Sequence, residues 1–189
     1  MINCVGNLTM ENITRVPSPI DLGREYDFNM ETLFTHYQKH LALKESGEDL
    51  DTATADRYAC GYPIPPFQRD LVWTRNQEVM FIESAYLGLL SGSFCTHEVD
   101  WDCHDKALKF SGWLIDGQQR LTTIERYWND AFKVCGLYYS ELTPPEKRRF
   151  LRTRFVQNKV ILNDEVLIKD LYNRMAFGGV PHKPEDYAA

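Results

Sequence analysis

The sequence has no run of about 18 apolar residues, the length that a helix needs to cross a membrane. Its first residues lack the basic start and apolar core of a secretory signal peptide. Its five cysteines are an odd number, widely scattered, and none belongs to a Cys-x-x-Cys pair. This cysteine pattern argues against a disulfide framework and a zinc knuckle. We therefore expect a cytoplasmic protein with free thiols and no membrane contact.

Motifs of several enzyme classes are also missing. The sequence has no nucleophile–base signature and no cofactor-binding loop of a redox enzyme. It has no His-Asn-His nuclease signature either. Peptide-bond, glycosidic and redox chemistry are therefore not indicated, and neither is DNA cleavage by a nuclease module.

The formal net charge of −6 argues against a surface that binds a phosphate backbone throughout. One stretch is nevertheless basic, and it predicts a local surface that can bind DNA. Its residues are Lys147, Arg148, Arg149, Arg152 and Arg154. The alternative interpretation is an ordinary solvated helix face.

With 189 residues and 43% hydrophobic content, the chain can form one well-packed core. We expect residues 1–60 to form an N-terminal arm and helix, as an accessory segment, and residues 61–189 to form the main domain. Periodicity predicts helices over 30–44, 76–90, 118–131 and 164–175, and strands over 94–101, 113–115 and 155–162, with at most one further short strand near 13–16. A capping-box pattern with prolines in the first turn predicts that a short basic helix begins after Thr143. This order predicts a mixed α/β fold, a small mixed sheet flanked by helices.

A buried strand ends at Asp116-Gly117, and a helix begins directly at Gln118. Such a turn presents unpaired backbone amides and the positive end of a helix dipole, which together form an anion site. Gln118, Gln119 and Arg120 add amide donors and a guanidinium, and Asp116 can hold Mg²⁺ or a water. Each residue also has a simpler interpretation, as a helix cap, a tight turn or a surface ion pair.

Upstream lies Tyr62-Pro63-Ile64-Pro65-Pro66-Phe67-Gln68-Arg69. Its three prolines exclude helix and predict an extended or polyproline conformation. The segment therefore places Gln68 and Arg69 at a defined position.

The two segments together resemble the N-terminal domain of GmrSD-type restriction factors, within the wider ParB and sulfiredoxin-like fold. The resemblance is carried by Ile64 to Arg69, Val72-Trp73, and Leu114-Ile115-Asp116-Gly117-Gln118-Gln119-Arg120, the DGQQR motif. A third element, Tyr172-Asn173-Arg174-Met175-Ala176-Phe177-Gly178-Gly179, is similar to the family's Phe-x-Arg-x-Asn-x-Gly-Gly. Here Tyr172 replaces Phe and Ala176 replaces Asn.

The resemblance implies that residues 61–189 form a ParB-like nucleotide-binding domain that takes a nucleoside triphosphate (ATP, GTP or CTP) with Mg²⁺. It implies catalytic roles for Asp116, Gln119 and Arg120, and a metal contact at Asp116. It implies that the nucleotide is bound by Gln68, Arg69, Gly117, Gln118 and Arg174.

The function that we expect is nucleoside triphosphate hydrolysis coupled to DNA, as in restriction and phage-defence relatives. One alternative is a kinase of the same fold that transfers phosphate to a hydroxyl acceptor, such as a modified base in DNA. Another is a non-catalytic, nucleotide-gated adaptor or inhibitor. A homodimer is a further expectation.

Overall fold

Helices and short strands are interspersed along the computed structural model, which describes residues 23–177 except residues 49, 51, 91 and 105. In chain order the elements are β1 (Arg24–Tyr26), α1 (Met30–Ser46), β2 (Tyr58–Ala59), β3 (Tyr62–Pro63), α2 (Arg75–Tyr86), β4 (Ser93–His97), β5 (Leu114–Asp116), α3 (Gln118–Trp128), α4 (Pro144–Leu151), β6 (Val156–Val160) and α5 (Glu165–Phe177). The predicted strand over 13–16 lies outside the described residues.

Four of the strands form one sheet in the order β1-β6-β4-β5. β4 and β6 are parallel, whereas β1 pairs antiparallel with β6 and β5 pairs antiparallel with β4. β2 and β3 form a separate antiparallel hairpin. The predicted mixed α/β fold with a small mixed sheet is therefore confirmed.

Each face of the sheet packs against its own apolar cluster, because successive side chains of a strand point to opposite faces. Phe94 and Leu114 are buried with residues of α1 to α4. Their neighbours Cys95 and Ile115 are buried on the other side, where α5 contributes Ile168. The edge strand β5 is therefore covered on both faces, and its carboxyl end is fixed between the two clusters.

Two predicted helix starts are confirmed by their caps. The Asn29 side chain accepts a hydrogen bond from the Thr32 amide at 2.9 Å and so begins α1. At α4, the Thr143 amide donates to the Glu146 carboxylate at 2.7 Å, as one half of a capping box. At these two helices, a short polar side chain before the apolar stripe therefore marks the helix start.

Several predicted element ends are wrong. α2 ends at Tyr86 rather than at residue 90, because Gly88 adopts a left-handed conformation with φ of +72°. α3 ends at Trp128 rather than at residue 131, since Asp130 also has a positive φ. The strands predicted over 94–101 and 155–162 are shorter, and the short strands β1, β2 and β3 are additional.

β1 and α1 belong to the segment predicted as accessory. β1 pairs along its length with β6, and α1 buries Met30 and Leu33 in the main cluster. Among the described residues, no helix combines the length and the apolar character that crossing a bilayer requires.

Stability is expected to fall as the pH drops below about 6.5, because of His40 on α1. The imidazole is buried against the Tyr58 ring, and this burial, with the charges of His36 and Lys44, lowers its pKa. An imidazole whose pKa is lower in the folded protein binds its proton more readily when the chain unfolds, so acid favours unfolding.

Urea unfolding of the parent protein and of His40→Phe at pH 7.5 and pH 5.5 measures this effect. The parent should lose more stability between the two pH values than His40→Phe does. His104→Gln, on an exposed turn, serves as control and should behave like the parent. An equal pH dependence in the parent and His40→Phe would contradict the assignment.

Candidate functional site

The turn between β5 and α3 has a conformation that only glycine satisfies well. Gly117 has a φ of +105°, and a Cβ atom there would lie 2.6 Å from the Cβ of Phe94. The first hydrogen bond of α3 runs from the Leu121 amide to the Gly117 carbonyl at 2.9 Å. The amides of residues 118–120 therefore have no acceptor within the helix, as an anion site requires.

Arg120 and Asp116 form an ion pair at this helix start. Their side chains are 23% and 25% exposed, so solvent or a ligand can reach both groups. The guanidinium also lies against Gly92, where a Cβ atom would come within 2.8 Å of Nη1. Arg120 thus pairs with the Asp116 carboxylate at the amino end of α3, and the absence of a side chain at Gly92 leaves room for its guanidinium.

The Asp116 carboxylate also affects the ionisation of a buried cysteine, Cys95. Burial, and then the negative charge of Asp116, raise the pKa of the Cys95 thiol to about 12. Cys95 therefore remains a neutral thiol at physiological pH, and the Asp116 carboxylate lies at the border between the core and solvent.

Gln68 fastens the proline-rich segment to the sheet. Its Nε2 donates to the carbonyl oxygens of Leu114 and Ile115, the latter at 3.1 Å. These carbonyls lie on β5, the edge strand. The Gln68 amide therefore supplies hydrogen bonds to β5 that the sheet itself does not. The residue is only 4% exposed, so this contact is buried.

Gln119 connects α3 to the chain that follows Arg69. Its Oε1 accepts hydrogen bonds from the amides of Val72 and Trp73 at 3.0 and 3.2 Å. Its Nε2 donates to the Asp70 carbonyl at 3.2 Å. The amide is therefore engaged by backbone groups on both of its polar atoms.

These contacts bring the two segments together around one cavity of about 230 Å³. Its wall is formed by Gln68, Arg69, Trp73, Ile115, Asp116, Gly117, Gln118, Gln119, Arg120, Tyr172, Met175 and Ala176. Every predicted site residue except Arg174 lines it. The proline-rich segment and the turn, which are far apart in the sequence, therefore lie side by side in the structure.

α5 forms a further wall of the cavity and shows why Arg174 is not part of it. Tyr172, Met175 and Ala176 lie three and four residues apart, on one face of the helix. Arg174 projects from a different face and pairs with Asp170 at 2.8 Å. The residues at 178 and 179 of the third motif lie outside the described part of the chain.

The sequence prediction did not assign five of the lining residues to the site: Trp73, Ile115, Tyr172, Met175 and Ala176. The helical spacing of Met175 with Tyr172 is a signal that could have identified it. Trp73 could not be identified in this way, because its position depends on the Gln119 side chain, which contacts its backbone across the fold.

Removing the Gln68 amide should destabilise the protein. Gln68→Ala leaves two carbonyls of β5 without their donor, which costs about 1–3 kcal/mol. For a chain of this length that corresponds to a fall in Tm of roughly 2–12 °C. Gln38→Ala, at an exposed position of α1, is the matched control and should leave the Tm within about 1 °C. A Tm for Gln68→Ala equal to that of the control would contradict the role of Gln68.

The predicted basic surface lies on and after α4, and none of its five residues lines the cavity. Two of them have protein partners. Lys147 Nζ donates to the Ser140 carbonyl at 3.1 Å, and Arg154 pairs with Asp27 at 2.7 Å. Arg148, Arg149 and Arg152 are exposed and form the basic surface of α4.

Comparison with known proteins adds one finding. No curated protein matches the chain, and no solved structure does either. The sequence model described as "GmrSD restriction endonuclease, N-terminal domain" matches residues 50–187. This range contains the proline-rich segment, the turn at Gly117 and α5, which together line the cavity. Because the match covers most of the chain, the protein belongs to the family of GmrSD restriction endonuclease N-terminal domains, which links it to DNA restriction.

Proposed function

We propose that the protein binds a nucleoside triphosphate with Mg²⁺, with the phosphates in this cavity, and hydrolyses it in a process coupled to DNA. The observation that carries the proposal is that Arg69 and Arg120, from two distant segments, line a single cavity at the amino end of α3. Two guanidinium groups, and amides without an acceptor in the helix, suit the charge of a triphosphate.

Arg120 and Asp116 act together in this proposal. The Arg120 guanidinium exchanges its carboxylate partner for phosphate oxygens, which it can bind through two parallel hydrogen bonds. The exchange releases the Asp116 carboxylate. Phosphate binding therefore prepares Asp116 for a cation or a proton.

Mg²⁺ fits this site as a part of the substrate. Asp116 is the one carboxylate among the described residues that line the cavity. Mg²⁺ in proteins is commonly held by one or two carboxylates together with substrate phosphates and waters. Within the described part of the chain, no three His, Cys, Asp or Glu side chains cluster as metal ligands, so the ion would arrive with the nucleotide.

Hydrolysis requires little covalent chemistry from the protein. A water oxygen attacks the γ-phosphorus, the bond to the β-phosphate oxygen breaks, and the water proton passes to Asp116 or to the phosphate released. Arg69 and Arg120 stabilise the charge on the transferred group. Gln68 and Gln119 act as positioning residues, since their amides bind the backbone of the two segments.

Binding and turnover test the proposal. Calorimetry with ATP, GTP and CTP, each with and without Mg²⁺, should show binding that Mg²⁺ strengthens, and free phosphate should then appear. Asp116→Asn should keep binding but lose the Mg²⁺ dependence and the phosphate release. No binding of any of the three nucleotides would refute the proposal. Transfer of labelled phosphate to an acceptor, or binding without turnover, would replace hydrolysis with the kinase or the adaptor function.

We propose that DNA contacts the basic surface of Arg148, Arg149 and Arg152. Replacing all three with alanine should weaken DNA binding and reduce the slope of log K against log salt, by about 0.9 for each DNA phosphate that the variant no longer neutralises. Affinity for the nucleotide should not change, because these residues lie outside the cavity. Filter binding at several salt concentrations measures the effect.

A triple variant at Lys39, Lys44 and Lys106 removes the same charge elsewhere and is the control. An equal fall in DNA affinity in both triple variants would show that net charge alone matters and would contradict a specific surface on α4. Arg120→Ala should retain DNA binding, as the reciprocal control.

A further inference from the structure

The cavity is too small for a complete nucleotide. Its volume of about 230 Å³ lies below the roughly 300–1,000 Å³ of clefts that enclose drug-sized ligands. The charged end at Arg120 and the first turn of α3 suits the phosphates. The nucleoside of a bound triphosphate must therefore lie at the opening, against side chains that reach the surface.

Trp73 is the aromatic residue placed to meet it. Tyr172 also lines the cavity, but it is only 8% exposed, and its hydroxyl accepts a hydrogen bond from the Arg69 amide at 3.4 Å. Trp73 lines the cavity and is only half-buried, so part of the residue is accessible to a ligand. Trp113 and Trp128 are buried, and Trp101 does not line the cavity.

Two contacts hold Trp73 in place, one through its backbone and one through its ring. Its backbone amide donates to Gln119 Oε1 at 3.2 Å, which fixes it relative to the first turn of α3. Its ring packs against Phe81, with centroids 5.3 Å apart and planes inclined by 59°. An aromatic ring that is held before binding loses little conformational entropy when a ligand stacks on it. Gln119 thus fixes the position of Trp73 relative to the first turn of α3, where the phosphates would bind.

We propose that Trp73 stacks on the base of the nucleotide and makes the site selective for purine nucleoside triphosphates. This inference rests on the proposed function. Stacking depends on the overlap of aromatic area, so a two-ring purine gains more than a one-ring pyrimidine. Selectivity is then by ring size, and ATP and GTP bind with similar affinity.

The test compares ATP, CTP and inorganic triphosphate, each with Mg²⁺, by calorimetry. The parent protein should bind ATP more tightly than CTP, and CTP more tightly than inorganic triphosphate. Trp73→Ala should lower ATP affinity about 5- to 150-fold, which corresponds to the roughly 1–3 kcal/mol of one stacked base. Its affinity for inorganic triphosphate should stay within twofold of the parent. Trp73→Phe should be intermediate, and Trp101→Ala, an exposed tryptophan elsewhere, should equal the parent.

The possible failures are distinguishable. An equal fall in affinity for ATP and inorganic triphosphate in Trp73→Ala and Trp73→Phe would show that Trp73 only supports the site, and would overturn the inference. Equal affinity of the parent protein for all three ligands would overturn it too, with the phosphate site intact. If none of the three binds to the parent, the proposed function itself fails.

Discussion

Arg120→Ala should lower the affinity for Mg²⁺-bound ATP by about 10- to 150-fold while the protein remains folded. Hydrogen bonds to a charged group contribute roughly 1.5–3 kcal/mol each, and the Arg120 guanidinium would make them at the amino end of α3. The fold should survive because Asp116, left without its partner, is 25% exposed and can be hydrated. Calorimetry and thermal unfolding of the same preparations measure the two effects.

Arg120→Lys should be intermediate, since an ammonium keeps the charge but not the two parallel donors. Arg149→Ala on the exposed part of α4 is the matched control and should bind ATP as the parent does. Arg174→Ala should have a smaller effect than Arg120→Ala, because that guanidinium pairs with Asp170 outside the cavity. Parent-like affinity in Arg120→Ala would contradict the assignment of the site.

Gly117→Ala should produce the largest loss of stability among the substitutions considered. A non-glycine residue in such a backbone conformation costs about 1–3 kcal/mol. The new Cβ would also meet the Phe94 Cβ at 2.6 Å, next to the backbone of β4, where no side-chain rotation relieves the overlap. Together these predict a fall in Tm of roughly 6 °C or more in thermal unfolding.

Gly136→Ala separates the two contributions. Gly136 also has a positive φ, of +83°, but an added Cβ there meets no atom within 4 Å. The Tm of the Gly136→Ala variant should therefore fall only by the cost of placing a non-glycine residue at a positive φ. Equal falls in Tm in the two variants would show that the Phe94 contact is relieved by a shift of β4, and that the turn is less tightly fixed than the structure indicates.

The centre of the site was predictable because it is encoded locally. An apolar strand, an Asp-Gly step and an amphipathic helix follow one another in the sequence, and the structure has β5, the Gly117 turn and α3 at that place. Caps such as Asn29 are local as well, since the capping atom and the amide it bonds are three residues apart. Such features need no knowledge of the rest of the fold.

Other features depended on contacts between distant segments. The strands β1, β2 and β3 have two or three residues each, too few to show an alternating pattern. The engagement of Gln68 and Gln119 by backbone groups arises only when the proline-rich segment meets the sheet. Arg174 lies outside the cavity wall because a residue two positions from Tyr172 does not share its helical face, and its predicted contact with the nucleotide stays a prediction.

The end of α2 was predicted too late for a different reason. Leu87 and Leu89 extend the apolar pattern of the helix, yet they are 67% and 69% exposed. Gly88, with its positive φ, turns the chain before these residues can pack. Apolar periodicity therefore extended the prediction past the residue that ends the helix.

A crystal structure of the protein with Mg²⁺ and a non-hydrolysable ATP analogue is the most direct test of whether the two arginine-bearing segments form one phosphate site. We expect the triphosphate at the first turn of α3, with oxygens within hydrogen-bond distance of both Arg69 and Arg120 and with Arg120 separated from Asp116. An analogue bound elsewhere, or bound while the Arg120–Asp116 pair stays intact, would contradict the account.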